Sequence, residues 1–227
     1  MVNEKYHGLG TAPSVIRELF AYGLQQAKVV GKENVFDYSL GNPSIPAPAK
    51  VNETIKKLID TTDSIQLHGY SMAPGFENVR QAIADNLNAR FNCNAKASEL
   101  FMTCGCAPAL VSVAHALTTS PEDEFIAIAP FFPEYNVFFT CAGAKLAVVP
   151  ADTVHFQIDM DALEKTINEH SVAVVINSPN NPSGVVYTEE TLKKIAELLE
   201  RKSKEYGHPI YIVADEPYRE LVYDGVK

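Results

Sequence analysis

The sequence predicts an α/β fold: a three-layer α/β/α arrangement around a mostly parallel sheet, with a helical segment at the N-terminus. Short apolar runs alternate with stretches of helical periodicity along most of the chain. Because these runs carry β-branched residues at successive positions, they suit strands that are covered by helices on both faces. A length of 227 residues allows one large domain and part of a second.

The predicted elements alternate in order along the chain. Helices are expected at 13–28, 48–59, 76–91, 105–117 and 188–206, near Glu134 and from Asp159, and strands at 100–104, 124–130, 145–150 and 172–178 and in the final run PIYIVAD. The segment GLGTAP (8–13) begins like a dinucleotide-binding motif but follows no strand, so a loop is expected there. Since the alternation starts only after GNPSIPAP (41–48), residues 1–47 are predicted to be an N-terminal arm and small-domain segment, and residues 48–227 one large domain.

The composition argues against several classes of function. The chain has 19 basic and 28 acidic residues, a net charge of −9 without a basic stripe, so nucleic acid is not an expected partner. No apolar stretch reaches the roughly 18 residues of a membrane span, and the N-terminus lacks an apolar signal segment. The cysteines and histidines lack ligand spacing, so no metal site is expected. Reduced thiols and a cytoplasmic enzyme are predicted.

Residues that can carry chemistry follow the predicted strands, where ligands bind in parallel α/β sheets. Four such junctions stand out: CGCAPAL (104–110), APFFPEY (129–135), NSPNNPSG (177–184) and ADEPY (214–218). The chain has no Walker A motif, no G-x-S-x-G elbow and no H-E-x-x-H pair, which argues against α/β-hydrolase and zinc-hydrolase chemistry. A binding site is therefore predicted where the four junctions meet.

The first two junctions offer a phosphate cradle and a flat apolar surface. Gly105 opens a helix whose free N–H groups and dipole can bind a phosphate, although a glycine at such a turn can also be purely structural. Phe131 or Phe132 can stack on a flat heterocycle, although packing under a loop explains these rings equally well. Neither junction identifies a ligand by itself.

The last two junctions offer amides and a carboxylate. Asn177, Asn180 and Asn181 lie in a proline-rich turn and can hydrogen-bond a ligand oxygen, unless the turn has no function. Asp215 ends a buried strand, and a buried carboxylate needs a cationic partner such as a protonated ring nitrogen. Capping of a turn or an ion pair with Arg219 is the alternative for Asp215.

A phosphate cradle, a stacking ring, an amide and a carboxylate together supply what is needed to hold pyridoxal 5'-phosphate (PLP). Over nearly its whole length the chain resembles the fold-type I PLP-dependent aminotransferases of classes I and II. The most specific matches are NNPSG (180–184) and DEPY (215–218), and HGYSMAPGFENVRQAIA (68–84) supports them. The resemblance implies that 48–227 is the PLP-binding large domain, incomplete at its C-terminal end.

The resemblance assigns residues from the first two junctions to the cofactor. Gly105, Cys106 and Ala107 match the segment whose backbone amides bind the phosphate, and Phe132 matches the aromatic residue stacked on the pyridine ring. Cys106 and Ala107 have no hydroxyl group, so this cradle is expected to rely on its backbone.

The resemblance also assigns residues from the other segments. Asn181 and Tyr218 match the residues that hydrogen-bond the phenolic oxygen, with Asn181 also at the substrate, and Asp215 matches the partner of the pyridinium nitrogen. Gly41 matches a glycine of the substrate-binding loop. Tyr70 matches a tyrosine that reaches the phosphate of the neighbouring subunit, which implies a homodimer.

The covalent anchor of the family has no match in this chain. In the family the Schiff-base lysine lies a few dozen residues beyond the D-x-x-Y element, whereas this chain ends at Lys227, nine residues after Tyr218. No catalytic residue is therefore assigned. The chain is expected to be an N-terminal fragment that is inactive by itself.

The resemblance implies an aminotransferase that moves an amino group from an L-amino acid to a 2-oxo acid. The family works by a ping-pong mechanism through aldimine and ketimine intermediates, and an aspartate or aromatic substrate is expected. Two alternatives stay open: a PLP-dependent C–S β-lyase on the same fold, and a non-enzymatic, truncated protein that serves as a dimerisation or regulatory module.

Overall fold

The chain divides into two compact units in a computed structural model, which describes residues 1–39, 41, 45–223 and 225. The units are Met1–Tyr70 and Ser71–Lys227. The division predicted from the sequence, an arm of residues 1–47 and a large domain of residues 48–227, stays a prediction.

The first unit is built of helices. Its elements are α1 (Glu4–Thr11), α2 (Val15–Val30), a 3-10 turn (Lys32–Asn34), α3 (Ala49–Thr61) and α4 (Ser64–His68). Helices α2 and α3 confirm the ranges predicted at 13–28 and 48–59 to within two residues at each end. Ser14 caps α2 because its hydroxyl accepts the N–H of Arg17.

The loop predicted for GLGTAP (8–13) is wrong at its first four residues, which complete helix α1. The side chain of Asn3 caps the start of this helix by accepting the N–H of Tyr6. The hydroxyl of Thr11 donates to the carbonyl of His7 at the other end. These contacts offset the poor helix preference of the two glycines.

The second unit contains a sheet whose strands alternate with helices. In chain order its elements are α5 (Glu77–Phe91), a 3-10 turn (Ala97–Glu99), α6 (Cys106–Leu117), β1 (Glu124–Ile128), α7 (Glu134–Cys141), β2 (Lys145–Val149), α8 (Met160–Thr166), β3 (Ser171–Asn177), α9 (Glu189–Tyr206) and β4 (Tyr211–Asp215). The strands lie in the order β2-β1-β3-β4, and all neighbours are parallel. The predicted α/β fold with a parallel sheet is confirmed.

Alternate residues of the central strands point to opposite faces of the sheet. Ile126 and Val174 pack in an apolar cluster with residues of α8 and α9. Phe125 and Val175 pack in a second cluster with residues of α6 and α7. The sheet therefore lies between two helix layers, as the predicted three-layer arrangement requires.

Two predictions about strands are wrong. Residues 100–104 form no strand: the N–H of Met102 donates to the carbonyl of Pro74 in a loop. Thr103 is the one β-branched residue of this run, so its strand preference is weak. The second wrong prediction is that helices cover both faces of every strand. In strand β4 the successive residues Tyr211 and Ile212 are 47% and 45% exposed, and Ile212 borders an open groove.

Three further features concern membranes, metals and thiols. Within the described residues, no helix is long and apolar enough to cross a membrane. The same residues contain no group of three or more His, Cys, Asp or Glu side chains that could hold a metal ion. The cysteines are free thiols, with Cys93, Cys104 and Cys106 exposed and Cys141 partly buried.

A buried carboxylate fixes the connection between α6 and β1. Asp123 is 8% exposed, and its Oδ2 accepts the N–H groups of Thr119 at 2.6 Å and Ser120 at 2.8 Å and the hydroxyl of Thr119 at 3.1 Å. Burial by itself raises the pKa of Asp123, but the hydrogen bonds from Thr119 and Ser120 outweigh it, so the pKa lies below its usual value. The ionised form of Asp123 therefore stabilises the fold.

We predict that Asp123→Ala lowers the free energy of unfolding by about 1–3 kcal/mol near neutral pH, because the main-chain N–H groups of Thr119 and Ser120 lose their charged acceptor. A lowered pKa in the folded state means that the stabilisation is complete above the usual carboxyl pKa and is lost as the pH falls through the folded-state pKa. The difference between variant and wild type should thus shrink below about pH 4. Urea denaturation at several pH values measures it, with the exposed Glu197→Ala as control. An equal loss at pH 3 and pH 7 would contradict this role.

Candidate active site

Three strands end at one edge of the sheet and border a pocket there. Because β1, β3 and β4 are parallel, the segments that follow them meet at their carboxyl ends, together with the start of α6. The pocket has a volume of about 220 Å³ and is lined by Cys106, Ala107, Leu110, Phe132, Phe138, Asn177, Asn181, Asp215, Pro217 and Tyr218. Six of the residues predicted to hold a cofactor are thus brought together.

Asp215 supplies the negative charge of this pocket. It is the last residue of β4 and is 6% exposed. Its Oδ1 accepts a hydrogen bond from the thiol of Cys106 at 2.9 Å, and its Oδ2 accepts one from the hydroxyl of Tyr135 at 2.5 Å. Among the described residues no Lys, Arg or His forms an ion pair with Asp215. A cationic group on a ligand would compensate this buried charge.

The two donors to Asp215 stay protonated at neutral pH. Cys106 is exposed as a residue, but partial burial of its thiol, together with the hydrogen bond to Asp215 and the charge of Asp215, raises the pKa of the thiol to about 11. Burial also raises the pKa of Tyr135, and the hydrogen bond to Asp215 and the charge of Asp215 raise it further. Both side chains therefore donate hydrogen bonds without changing the net charge of the pocket.

The start of α6 can bind an anion at the edge of the pocket. Gly105 precedes the helix with φ +108° and ψ 177°, a backbone conformation that a residue with a Cβ rarely adopts, and no side chain caps the helix. The hydroxyl of Thr103 donates to the Gly105 carbonyl at 2.8 Å. The N–H groups of Cys106 and Ala107 can thus bind a phosphate, although Gly105 itself is not among the lining residues.

Phe132 lines the pocket from the segment after β1. Its ring is half-buried and meets the ring of Tyr135 edge to face, with centroids 5.8 Å apart and an interplanar angle of 86°. It also packs against Phe138, at a centroid distance of 6.5 Å. Held in this way, Phe132 can offer a flat apolar surface to a heterocycle.

The turn after β3 presents the amide of Asn181. The buried side chain of Asn177 accepts the N–H of Asn181 at 2.6 Å and donates to the main-chain carbonyl of Asp215 at 2.7 Å. Asn177 therefore joins this turn to the end of β4. The Asn181 Nδ2 lies 3.5 Å from the Tyr218 hydroxyl, so both groups can address the same ligand oxygen.

Two predicted site residues belong to the first unit. Tyr70 is fully exposed within that unit, and Gly41 is exposed with space around the position of a Cβ. The residues around Gly41 in the LGNP motif, and Lys227 at the other end of the chain, lie outside the described residues. The roles predicted for Tyr70 and Gly41 stay predictions.

Sequence patterns did not identify Tyr135 as a partner of Asp215, or Asn177 as the support of Asn181. Only the second had a signal in the sequence, because Asn177 and Asp215 stand near the ends of two predicted strands. Asn177 pairs with Asp215 in the register of β3 and β4.

Comparisons with known proteins agree with this architecture. Residues 33–227 match the family model described as aminotransferase class I and II. The crystal structure of an amino transferase from Eubacterium rectale is 59% identical, with a TM-score of 0.98 over 100% of this chain and 57% of its own. Aspartate aminotransferase from Thermus thermophilus with maleate is 25% identical, with a TM-score of 0.82 over 100% of this chain and 56% of its own.

Curated proteins give the same result. The probable N-acetyl-LL-diaminopimelate aminotransferase of Bacillus subtilis is 31% identical over 92% of this chain and 51% of its own length. Aromatic-amino-acid aminotransferase 2 of Thermococcus litoralis is 30% identical over 95% of this chain and 51% of its own. This chain thus spans about half the length of these relatives, whose names favour neither the β-lyase nor the non-enzymatic alternative. The chain belongs to the aminotransferase class I and II family.

Proposed function

We propose that this protein works as a PLP-dependent aminotransferase, which transfers an amino group from an L-amino acid to a 2-oxo acid in a ping-pong reaction. The observation that carries the proposal is the Asp215 carboxylate, buried at the pocket beside two neutral donors and without a cation among the described residues. Such a carboxylate suits a protonated ring nitrogen. The family of the chain supports the same cofactor.

Other pocket residues would contact the remaining parts of PLP. The backbone of residues 105–107, at the start of α6, would bind the phosphate. Phe132 would cover one face of the pyridine ring. Asn181 and Tyr218, whose polar atoms are 3.5 Å apart, would both donate to the phenolic oxygen. The donor set thus fits a phosphorylated, flat heterocycle with one cationic nitrogen.

The cofactor and the chain would contribute different parts of the chemistry. PLP supplies an electron sink that stabilises the carbanion left when an amino acid loses its Cα proton. Asp215 would favour protonation of the ring nitrogen and so strengthen that sink. Asn177 holds the main chain of Asp215 and the turn of Asn181 in one arrangement. The described residues would therefore bind, orient and compensate charge.

Substrates, assembly and location are part of the proposal. The amino-acid substrate would be of the aspartate or aromatic type, which the names of the Thermus and Thermococcus relatives support. Asn181 would contact this substrate, and the substrate role of Gly41 stays a prediction. The protein would act in the cytoplasm as a homodimer, with Tyr70 at the phosphate of the neighbouring subunit. Since no lysine is among the described residues that line the pocket, the 227-residue chain by itself is expected not to turn over.

We predict that Asp215→Ala lowers kcat of the complete natural protein about 100-fold or more, because the ring nitrogen loses its charged partner. The measurement is the half-reaction of an amino-acid panel with the PLP form, followed by absorbance. The matched control is Glu216→Ala, which removes an exposed neighbouring carboxylate that pairs with Arg219 outside the pocket. Unchanged turnover in the Asp215 variant would remove this residue from the site.

We predict that Gly105→Ala weakens PLP binding about fivefold or more, because a Cβ at φ +108° strains the turn that orients the N–H groups of Cys106 and Ala107. Binding of pyridoxal, which has no phosphate, should change less than about twofold, since only the phosphate contacts are disturbed. Equilibrium dialysis with both ligands measures the difference. Gly143→Ala is the matched control, with φ +95° and no atom close to the added Cβ. Equal weakening of both ligands would contradict the phosphate cradle.

A further inference from the structure

Both oxygens of the Asp215 carboxylate are fixed by side chains of other segments. The thiol of Cys106, in the first turn of α6, donates to Oδ1 at 2.9 Å. The hydroxyl of Tyr135, in the first turn of α7, donates to Oδ2 at 2.5 Å. Because the two donors hold different oxygens, the carboxylate cannot rotate without losing one of these hydrogen bonds.

Tyr135 is itself held rigidly by aromatic neighbours. It is 1% exposed, and its ring stacks on Phe131 with centroids 6.2 Å apart and an interplanar angle of 6°. The ring of Phe139 packs against it at 6.0 Å, and Phe132 meets it edge to face at 5.8 Å. One buried side chain thus supports both the carboxylate of Asp215 and the ring of Phe132.

We propose that Tyr135 and Cys106 are positioning residues, which together orient the Asp215 carboxylate toward the ring nitrogen of the cofactor. Tyr135 in addition fixes Phe132 relative to that carboxylate. Phe132, which would stack on the cofactor ring, and Asp215, which would contact the nitrogen of that ring, are thus both positioned by Tyr135. This inference rests on the proposed function, since the orientation matters only for a ligand with a cationic ring nitrogen.

The donor chemistry of the two residues suits this role. At neutral pH both keep their protons, because burial and the charge of Asp215 raise the pKa of each group. Two neutral donors leave the negative charge of Asp215 available for the ligand, whereas an Arg or Lys in their place would neutralise it. A carboxylate can accept about four hydrogen bonds, so acceptor capacity remains for a ring N–H.

The test is a double-mutant cycle on the PLP dissociation constant of the complete natural protein, measured by equilibrium dialysis. Tyr135→Phe keeps the ring but removes the hydroxyl, and we expect it to raise the dissociation constant about tenfold, as for a lost hydrogen bond to a charged group. In the Asp215→Ala background the same change should alter it less than about twofold, because a residue that acts through Asp215 has nothing left to orient. A merely structural tyrosine would weaken binding equally in both backgrounds, and that result would overturn the proposal.

Cys106 provides the second cycle. Cys106→Ala should raise the dissociation constant severalfold in the wild-type background only, and Cys106→Ser should restore it, since serine again offers a donor to Oδ1.

Tyr187→Phe is the matched control for Tyr135→Phe, because Tyr187 is also buried but packs in the cluster on the opposite face of the sheet. A loss of the same size in this control would overturn the assignment to Tyr135.

The outcomes separate this inference from the proposed function. If the wild-type protein binds no PLP, the proposed function itself is wrong. If PLP binds and Asp215→Ala weakens it while neither Tyr135→Phe nor Cys106→Ala does so, only the positioning role is wrong.

Discussion

The candidate site depends on one electrostatic constraint, the burial of a carboxylate without a cation beside it in the described residues. Asp215 loses most of its contact with water at the end of β4, and the thiol and hydroxyl that replace water are neutral. Ionised groups are costly to bury unless a charge of opposite sign compensates them. In the proposed function a ligand with a cationic nitrogen would supply that charge, and the other lining groups would extend the contact to its ring, its oxygen and its phosphate.

The parallel sheet explains how groups far apart in the sequence come together. Strands β3 and β4 pair in a register that sets Asn177 beside Asp215, and the Asn177 side chain then holds both the end of β4 and the turn of Asn181. Helix α7 brings Tyr135 to the same carboxylate from the other side of β3, because β1 lies next to β3 in the sheet. The positions of the site residues therefore follow from the strand order. Because these residues are attached to the ends of a packed sheet, the sheet holds their side chains in place around the pocket.

Much of the fold could be predicted because hydrophobic periodicity reports burial directly. Most helices and the buried strands followed the pattern, whereas α1 and residues 100–104 did not. The apolar residues of 100–104 indicated burial, but this segment has little strand preference. In the site, the motifs identified Asp215 and Asn181 because a parallel sheet collects the residues after its strands. The contacts of Tyr135 and Cys106 with Asp215 could not be read from the sequence, since side-chain direction and packing between α6 and α7 decide them.

The central claim is that Asp215 is the receptor for a protonated ring nitrogen. The most direct test compares the binding of PLP with that of an analogue whose ring nitrogen is replaced by carbon, using equilibrium dialysis of the complete natural protein and its Asp215→Ala variant. The account predicts that the wild-type protein prefers PLP about tenfold or more and that the variant binds both compounds with similar affinity. Equal affinity of the wild-type protein for the two compounds would contradict it.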